Sequence, residues 1–252
     1  MLFCLEPVPQ PFSSVMKNLR EVDVHYVEIV DEGLHALNGR RIKALKKLIQ
    51  DRGLELTMHA PFMDVNIASS NPFLRKMVLN RLEKSILYAH QLDCQLWVFH
   101  PGSMDQLVRP ELNWRLNLDS VSTLCRVARK RGVEIAIENV PKSYAYLISS
   151  VQDFSRFYNE FEEDIGIVFD IGHANINRDI HDFIKKFSKE IVHIHINDND
   201  GIRDSHLGIG YGTIDWVDVA RMIKEIKYSN IVMLESNEHV EESLQTLRKI
   251  FT

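Results

Sequence analysis

The segment IVHIHINDNDGIRDSHLGIGYGTIDWVDVARMIKEI, residues 191–226, decides the fold. It begins as a β-branched run in which His193, His195 and Asn197 fall on one face, and Val192, Ile194 and Ile196 on the other. An Asp- and Gly-rich loop follows. Asp215 then stands where a helix N-cap belongs, ahead of Val219, Met222 and Ile226 at helical spacing. Strand, loop and helix in that order make one βα unit.

The same unit recurs along the chain. Strand-like runs lie at 2–6 (LFCLE), 26–30 (YVEIV), 55–59 (ELTMH), 96–100 (LWVFH), 134–138 (EIAIE), 165–170 (IGIVFD), 191–196 (IVHIHI) and 231–235 (IVMLE). Amphipathic runs follow them, as at 12–22, 40–52 and 72–92. Strands separated by helices imply right-handed crossovers and a parallel sheet. Eight such units in 252 residues match a (β/α)₈ TIM barrel. No linker, composition break or sequence repeat interrupts the chain, so residues 1–252 are read as a single α/β domain. A doubly wound sheet would carry a glycine fingerprint after its first strand, and LFCLEPVPQPF has none.

The net charge of −5 gives no broad basic surface for nucleic acid. Cys4, Cys94 and Cys125 are sparse and form no C-x-x-C pair, which fits a reducing cytoplasm. The start MLFCLEPVPQ lacks a signal-peptide pattern, and no apolar run is long enough to span a bilayer. A cytoplasmic protein with no membrane partner is expected. No exposed apolar stripe stands out, and the oligomeric state stays open.

The strand ends carry the chemical signal. His59, His100, Glu138, Asp170, His195 and Glu235 each close a strand-like run. In a parallel barrel these ends meet at one mouth. A single polar strand end merely solvates the rim; six metal-capable ones on the same side point to a site. Imidazole and carboxylate without thiolate suit Zn²⁺, Mn²⁺, Co²⁺ or Fe²⁺. Two short pairs enlarge the set: Asp170 with His173 in FDIGHANI, and Asp204 with His206 in RDSH. The bland alternative for the first pair is a local Asx turn with an exposed histidine. His195 is nearer the mouth and is read as a ligand. His193, one layer deeper, is read as a support that orients it.

With these residues in place, the sequence resembles the xylose isomerase-like barrel superfamily. That superfamily holds sugar isomerases and epimerases together with the endonuclease IV family of DNA-repair enzymes. The likeness is carried by HAPF (59–62), VFHPGS (98–103), IENVP (137–141), FDIGHAN (169–175), HINDND (195–200), DSHLGIGYGTID (204–215) and LES (234–236). Resemblance to the epimerase branch implies one divalent ion, Zn, Mn or Co, held by Glu138, Asp170, His195 and Glu235. The ion would chelate neighbouring sugar oxygens and polarise the carbonyl. Glu138 and Glu235 would act as base and acid across an enediolate, and His173 would hold a substrate oxygen. The substrate would be a small sugar or sugar phosphate.

Resemblance to endonuclease IV implies the alternative, a zinc-dependent phosphodiesterase acting at abasic sites in DNA. Its three-zinc cluster would be His59, His100, Glu138, Asp170, His173, His195, Asp204, His206 and Glu235, and all nine residue types are present. The flanks depart from that family. IENVPKS replaces its Gly-rich sequence, LESN replaces Glu-Thr-Pro, and the first strand ends in LEP without a His. The short units leave little room for loops that would extrude a nucleotide. The isomerase or epimerase is therefore the leading expectation.

Three further features have two readings each. Glu28 in YVEIVDE binds substrate or forms a rim salt bridge. The amides of Gly208, Gly210 and Gly212 cradle a phosphate, or the glycines only make a tight βα connection. Trp97 and Trp114 wall a sugar site or pack in the core.

Overall fold

The computed structural model describes residues 12–21 and 23–251. They fall into two compact units, one ending at Ile137 and the other beginning at Glu138. The expected first strand, LFCLE, and Cys4 lie outside the described residues.

In the first unit the elements run α1 (Phe12–Glu21), β1 (Tyr26–Val30), α2 (Gly39–Arg52), β2 (Glu55–His59), α3 (Pro72–Gln91), β3 (Leu96–Phe99), α4 (Pro110–Arg129) and β4 (Ile135–Glu138). The last residue of β4 opens the second unit. Strands β1 to β4 pair in order and in parallel, with Val30 opposite His59, His59 opposite Val98 and Phe99 opposite Ile137. Local chemistry sets the helix ends. The Asn38 side chain accepts from the amides of Arg40 and Arg41, and Gly53 closes α2 in the left-handed conformation. Asn71 caps α3 ahead of Pro72, and Pro110 opens α4.

Met58, Trp97, Phe99, Ile86 and Leu124 are fully buried in this unit. Each such side chain contributes about 1.5–3 kcal/mol through burial. The Trp97 indole N–H donates to Ser85 Oγ at 3.1 Å, and Trp114 is also buried. Both tryptophans therefore belong to the core. Asp31, fully buried just past β1, takes a bidentate pair from Arg81 of α3 at 2.7 and 2.8 Å. It also accepts from the Leu37 amide. The end of β1 is thereby tied to the helix that follows β2.

In the second unit come α5 (Val151–Glu160), β5 (Gly166–Asp170), α6 (Ile171–Asn177), α7 (Ile180–Phe187), β6 (Ile191–Ile196), α8 (Trp216–Glu225), β7 (Val232–Leu234) and α9 (Val240–Phe251). Strands β5, β6 and β7 pair in parallel, with Asp170 opposite His195 and Ile196 opposite Leu234. Ser150 and Asp153 form a capping box at α5, and Asp215 caps α8 through the Asp218 amide, as its position predicts. Phe154, Phe169, Phe183 and Phe187 interlock under the sheet, with Phe169 stacked on Phe183 at 4.8 Å. Strands in both units are buried along most of their length, as parallel strands covered on two sides require. No helix among the described residues is long and apolar enough to cross a membrane.

Candidate metal centre

The end of a parallel strand leaves its last side chains beyond the hydrogen-bonded ladder. In the second unit those positions hold Glu138 (last of β4), Asp170 (last of β5), His195 (in β6) and Glu235 (one past β7). All four are buried. One ligand atom from each lies within 4.8 Å of the others. His195 Nδ1 sits 2.9 Å from Glu235 Oε1 and 3.4 Å from Glu138 Oε1. Two carboxylates therefore converge on one imidazole nitrogen.

Buried asparagines fix these groups. Asn139 holds the backbone of Asp170 at both ends, accepting from its amide at 2.7 Å and donating to its carbonyl at 2.9 Å. Asn197 donates to Asp170 Oδ2 at 3.1 Å. Asp170 Oδ1 accepts from the His173 amide at 2.6 Å, so Asp170 is also the N-cap of α6. The local Asx geometry expected as a bland alternative is thus present, but His173 is buried with it. Gly172 is needed for close approach, because a Cβ there would come 2.1 Å from Asn197 Oδ1.

A second group adjoins the first. His173, Asp204 and His206 offer ligand atoms within 4.8 Å of one another. His173 Nδ1 faces the Asn139 carbonyl at 2.8 Å, which places the proton on Nδ1 and turns Nε2 toward Asp204 Oδ2 at 3.2 Å. His206 Nε2 lies 3.2 Å from Asp204 Oδ1, and His206 Nδ1 contacts the Glu235 carbonyl at 2.8 Å. His206 adopts φ +48°, a left-handed conformation that costs a non-glycine residue free energy.

The electrostatics follow from burying several carboxylates together. Burial pushes the Asp170 carboxyl up to about 7; His173 opposes this, while Glu235 and Glu138 add to it. Burial also acts to raise Glu235, but the charge and hydrogen bond of His195 outweigh it and hold Glu235 below the usual range. For His206 burial acts downward, yet Asp204 and Glu235 carry it up to about 9. Asp204, despite its burial, is held far below the usual range by His173 and His206. Three buried carboxylates around one imidazole lack sufficient positive charge of their own, and oxygen and imidazole donors without thiolate suit a divalent cation. The residues fit the implied metal.

The remaining expected residues lie in the first unit. The rings of His59 and His100 meet edge to face at 4.9 Å, and His59 Nδ1 contacts the Ala60 carbonyl at 2.8 Å. Glu28 is fully buried in β1 and accepts from the Thr57 hydroxyl at 2.6 Å. In the second unit, His193 is buried with its ring 4.9 Å from that of His195.

The loop between β6 and α8 is organised by Asp198, which the sequence reading passed over. Its carboxylate accepts from the amides of Asn199, Gly210 and Ile214 and from the Trp216 indole. Gly210 thus spends its amide on its own chain, as a tight connection requires. Asn139 and Asn197 were also missed. Each has a sequence signal: Asn139 directly follows Glu138, and Asn197 shares the strand face of His195.

Parallel βα repeats with carboxylates and imidazoles at the strand ends define an α/β-barrel protein carrying a metal-capable centre. The chain belongs to the xylose isomerase-like TIM barrel family, whose profile matches residues 16–250. A solved structure of a D-tagatose 3-epimerase-like protein is similar with TM-score 0.90 and 30% identity, covering 96% of this chain and 93% of that one. An uncharacterised protein of Methanocaldococcus jannaschii is 31% identical over 95% of this chain and 83% of its own length. The D-psicose 3-epimerase of Ruminiclostridium cellulolyticum is 26% identical over 83% of this chain and 72% of its own length. A probable endonuclease 4 of Mycoplasmoides gallisepticum is 26% identical over 76% and 67%.

Proposed function

We propose that this protein is a divalent-metal-dependent sugar isomerase or epimerase, with Glu138 and Glu235 as its acid–base pair. The observation that carries the proposal is the convergence of two buried carboxylates, from Glu138 and Glu235, on His195 Nδ1 at 3.4 and 2.9 Å. The likeness to a D-psicose 3-epimerase and to a D-tagatose 3-epimerase-like structure supports a ketose as substrate. Glu138, Asp170, His195 and Glu235 would hold the ion, which when bound chelates neighbouring sugar oxygens and makes the C–H beside the carbonyl acidic. Glu235, held ionised by His195, is the ready proton acceptor. It would take the proton from carbon, and Glu138 would return one to the opposite face of the enediolate, inverting that carbon. In the reverse direction the two exchange roles. His173, fixed by the Asn139 carbonyl, would orient a substrate hydroxyl. Asn139 and Asn197 keep Asp170 from turning away. Cys94 and Cys125 are buried and form no disulfide, which suits a cytoplasmic setting.

The competing reading is an endonuclease IV-like phosphodiesterase, favoured by the His173, Asp204 and His206 group and by the more distant endonuclease relative. Metal counting on purified protein, beside assays on free and phosphorylated ketoses and on an abasic-site duplex, separates the two. One exchangeable Mn²⁺ or Co²⁺ with ketose turnover supports the epimerase. Three zinc ions with strand incision would replace it.

A further inference from the structure

The loop after β6 is bonded along its length to the segment that joins β7 to α9. His206 Nδ1 faces the Glu235 carbonyl at 2.8 Å, and the Asn237 amide donates to the His206 carbonyl at 2.9 Å. The Ser236 hydroxyl donates to the Leu207 carbonyl at 2.9 Å, and the Ile209 amide donates to Ser243 Oγ at 2.9 Å. The two segments run so close at Gly208 that a Cβ there would come 2.7 Å from His239 Cβ. All of these contacts lie within the second unit.

The seam ends in an aromatic pair. The ring of Tyr211 stacks on that of His239, with centroids 4.0 Å apart and planes 13° from parallel. Glu242, in the first turn of α9, accepts from the Tyr211 hydroxyl at 2.7 Å and from His239 Nδ1 at 3.1 Å. All three side chains are exposed, so core packing does not bring them together. His239 also adopts φ +53°, a left-handed conformation that costs a residue with a Cβ free energy. The stack and the shared carboxylate offset that cost. The opposite end of the seam reaches the metal-capable centre, because His206 contacts the backbone of Glu235 there.

We propose that Tyr211 and His239 are positioning residues. Their stack, closed by Glu242, locks the loop after β6 onto the end of β7 and so fixes Glu235 in the centre. The inference rests on the proposed role of Glu235 as a metal ligand. Opening of the seam releases the Glu235 backbone, so a bound cation and the locked loop favour each other, and by linkage the coupling acts in both directions.

Hydrogen exchange of the full chain, read by mass spectrometry, tests the proposal. Peptides covering residues 207–211 and 236–238 report opening of the seam. Tyr211→Ala and His239→Ala each speed their exchange roughly tenfold. Tyr211→Phe keeps the stack and stays within about threefold of the wild type. In the wild type, Mn²⁺ at about 100 times its Kd slows the same peptides by at least about tenfold, while the last turn of α5, which frays independently, exchanges as before. Alanine variants that exchange like the wild type overturn the lock. A Tyr211→Phe variant that exchanges like Tyr211→Ala overturns the stack as its cause. Seam peptides that do not respond to bound Mn²⁺ overturn the coupling to the centre. A chain that binds no Mn²⁺ overturns instead the reading of Glu235 as a ligand, and the alanine variants then still decide whether the lock exists.

Discussion

Asn139→Ala is the substitution that most cleanly separates the support of the metal centre from its ligands. Asn139 is fully buried and touches Asp170 only through that residue's backbone, accepting from the amide at 2.7 Å and donating to the carbonyl at 2.9 Å. Alanine leaves the buried Asp170 amide without its partner, while the carbonyl, at the N-cap of α6, keeps its helical bond. The orphaned amide costs about 1–3 kcal/mol. For a chain of this size each kcal/mol lowers Tm by about 2–4 °C, so a fall of roughly 2–12 °C is expected. The four proposed ligand side chains remain, but Asp170 is no longer held in place, and divalent-metal affinity is expected to fall about 10–100-fold. Thermal unfolding of the metal-free protein and calorimetric titration with Mn²⁺ measure the two effects separately. A variant with both Tm and affinity unchanged would refute the argument that Asn139 positions the centre.

Glu138→Gln keeps the shape of the site and removes a proton acceptor, so turnover should fall by about 10²–10⁴ with Tm little changed; near-normal activity would rule out the acid–base assignment. Metal affinity should rise with pH. The Asp170 carboxyl, carried up to about 7 by burial, holds a proton in the metal-free fold that must leave before a cation binds. One proton released gives about a tenfold gain per pH unit below 7 and a plateau above it, and titrations across that range in buffers of matched ionic strength check the slope. Gly212→Ala should destabilise the protein by about 1–3 kcal/mol, because the added Cβ would come 2.2 Å from Asp198 Oδ1 and 2.3 Å from the Asn199 carbonyl. Denaturant unfolding reads that cost, and an unchanged midpoint would contradict the tight packing of the loop.

The repeating units were legible because hydrophobic runs and caps are local. Asp215 marks a helix start by side-chain chemistry acting within a few residues. The metal-capable strand ends were legible for a related reason. Once strands are placed and assumed parallel, their last residues are known, and Glu138, Asp170, His195 and Glu235 follow. What stayed hidden depends on contacts between distant segments. Asp198 reads as one acid in an acidic loop, and only the fold brings Gly210, Ile214 and Trp216 around it. Asp31 likewise gives no hint that Arg81 will close on it. The first half of α3, where Phe73, Leu74 and Met77 are exposed, has the same periodicity as a buried helix, and periodicity cannot tell what faces it.

The central claim is proton transfer at carbon by Glu138 and Glu235. The direct measurement is NMR of a free ketose incubated in D₂O with the Mn²⁺- or Co²⁺-loaded protein. Deuterium should appear at one carbon beside the carbonyl, together with the epimeric or isomeric sugar, and Glu235→Gln should remove it. Metal-loaded protein that leaves every ketose and ketose phosphate unlabelled while cutting an abasic-site duplex would contradict the account.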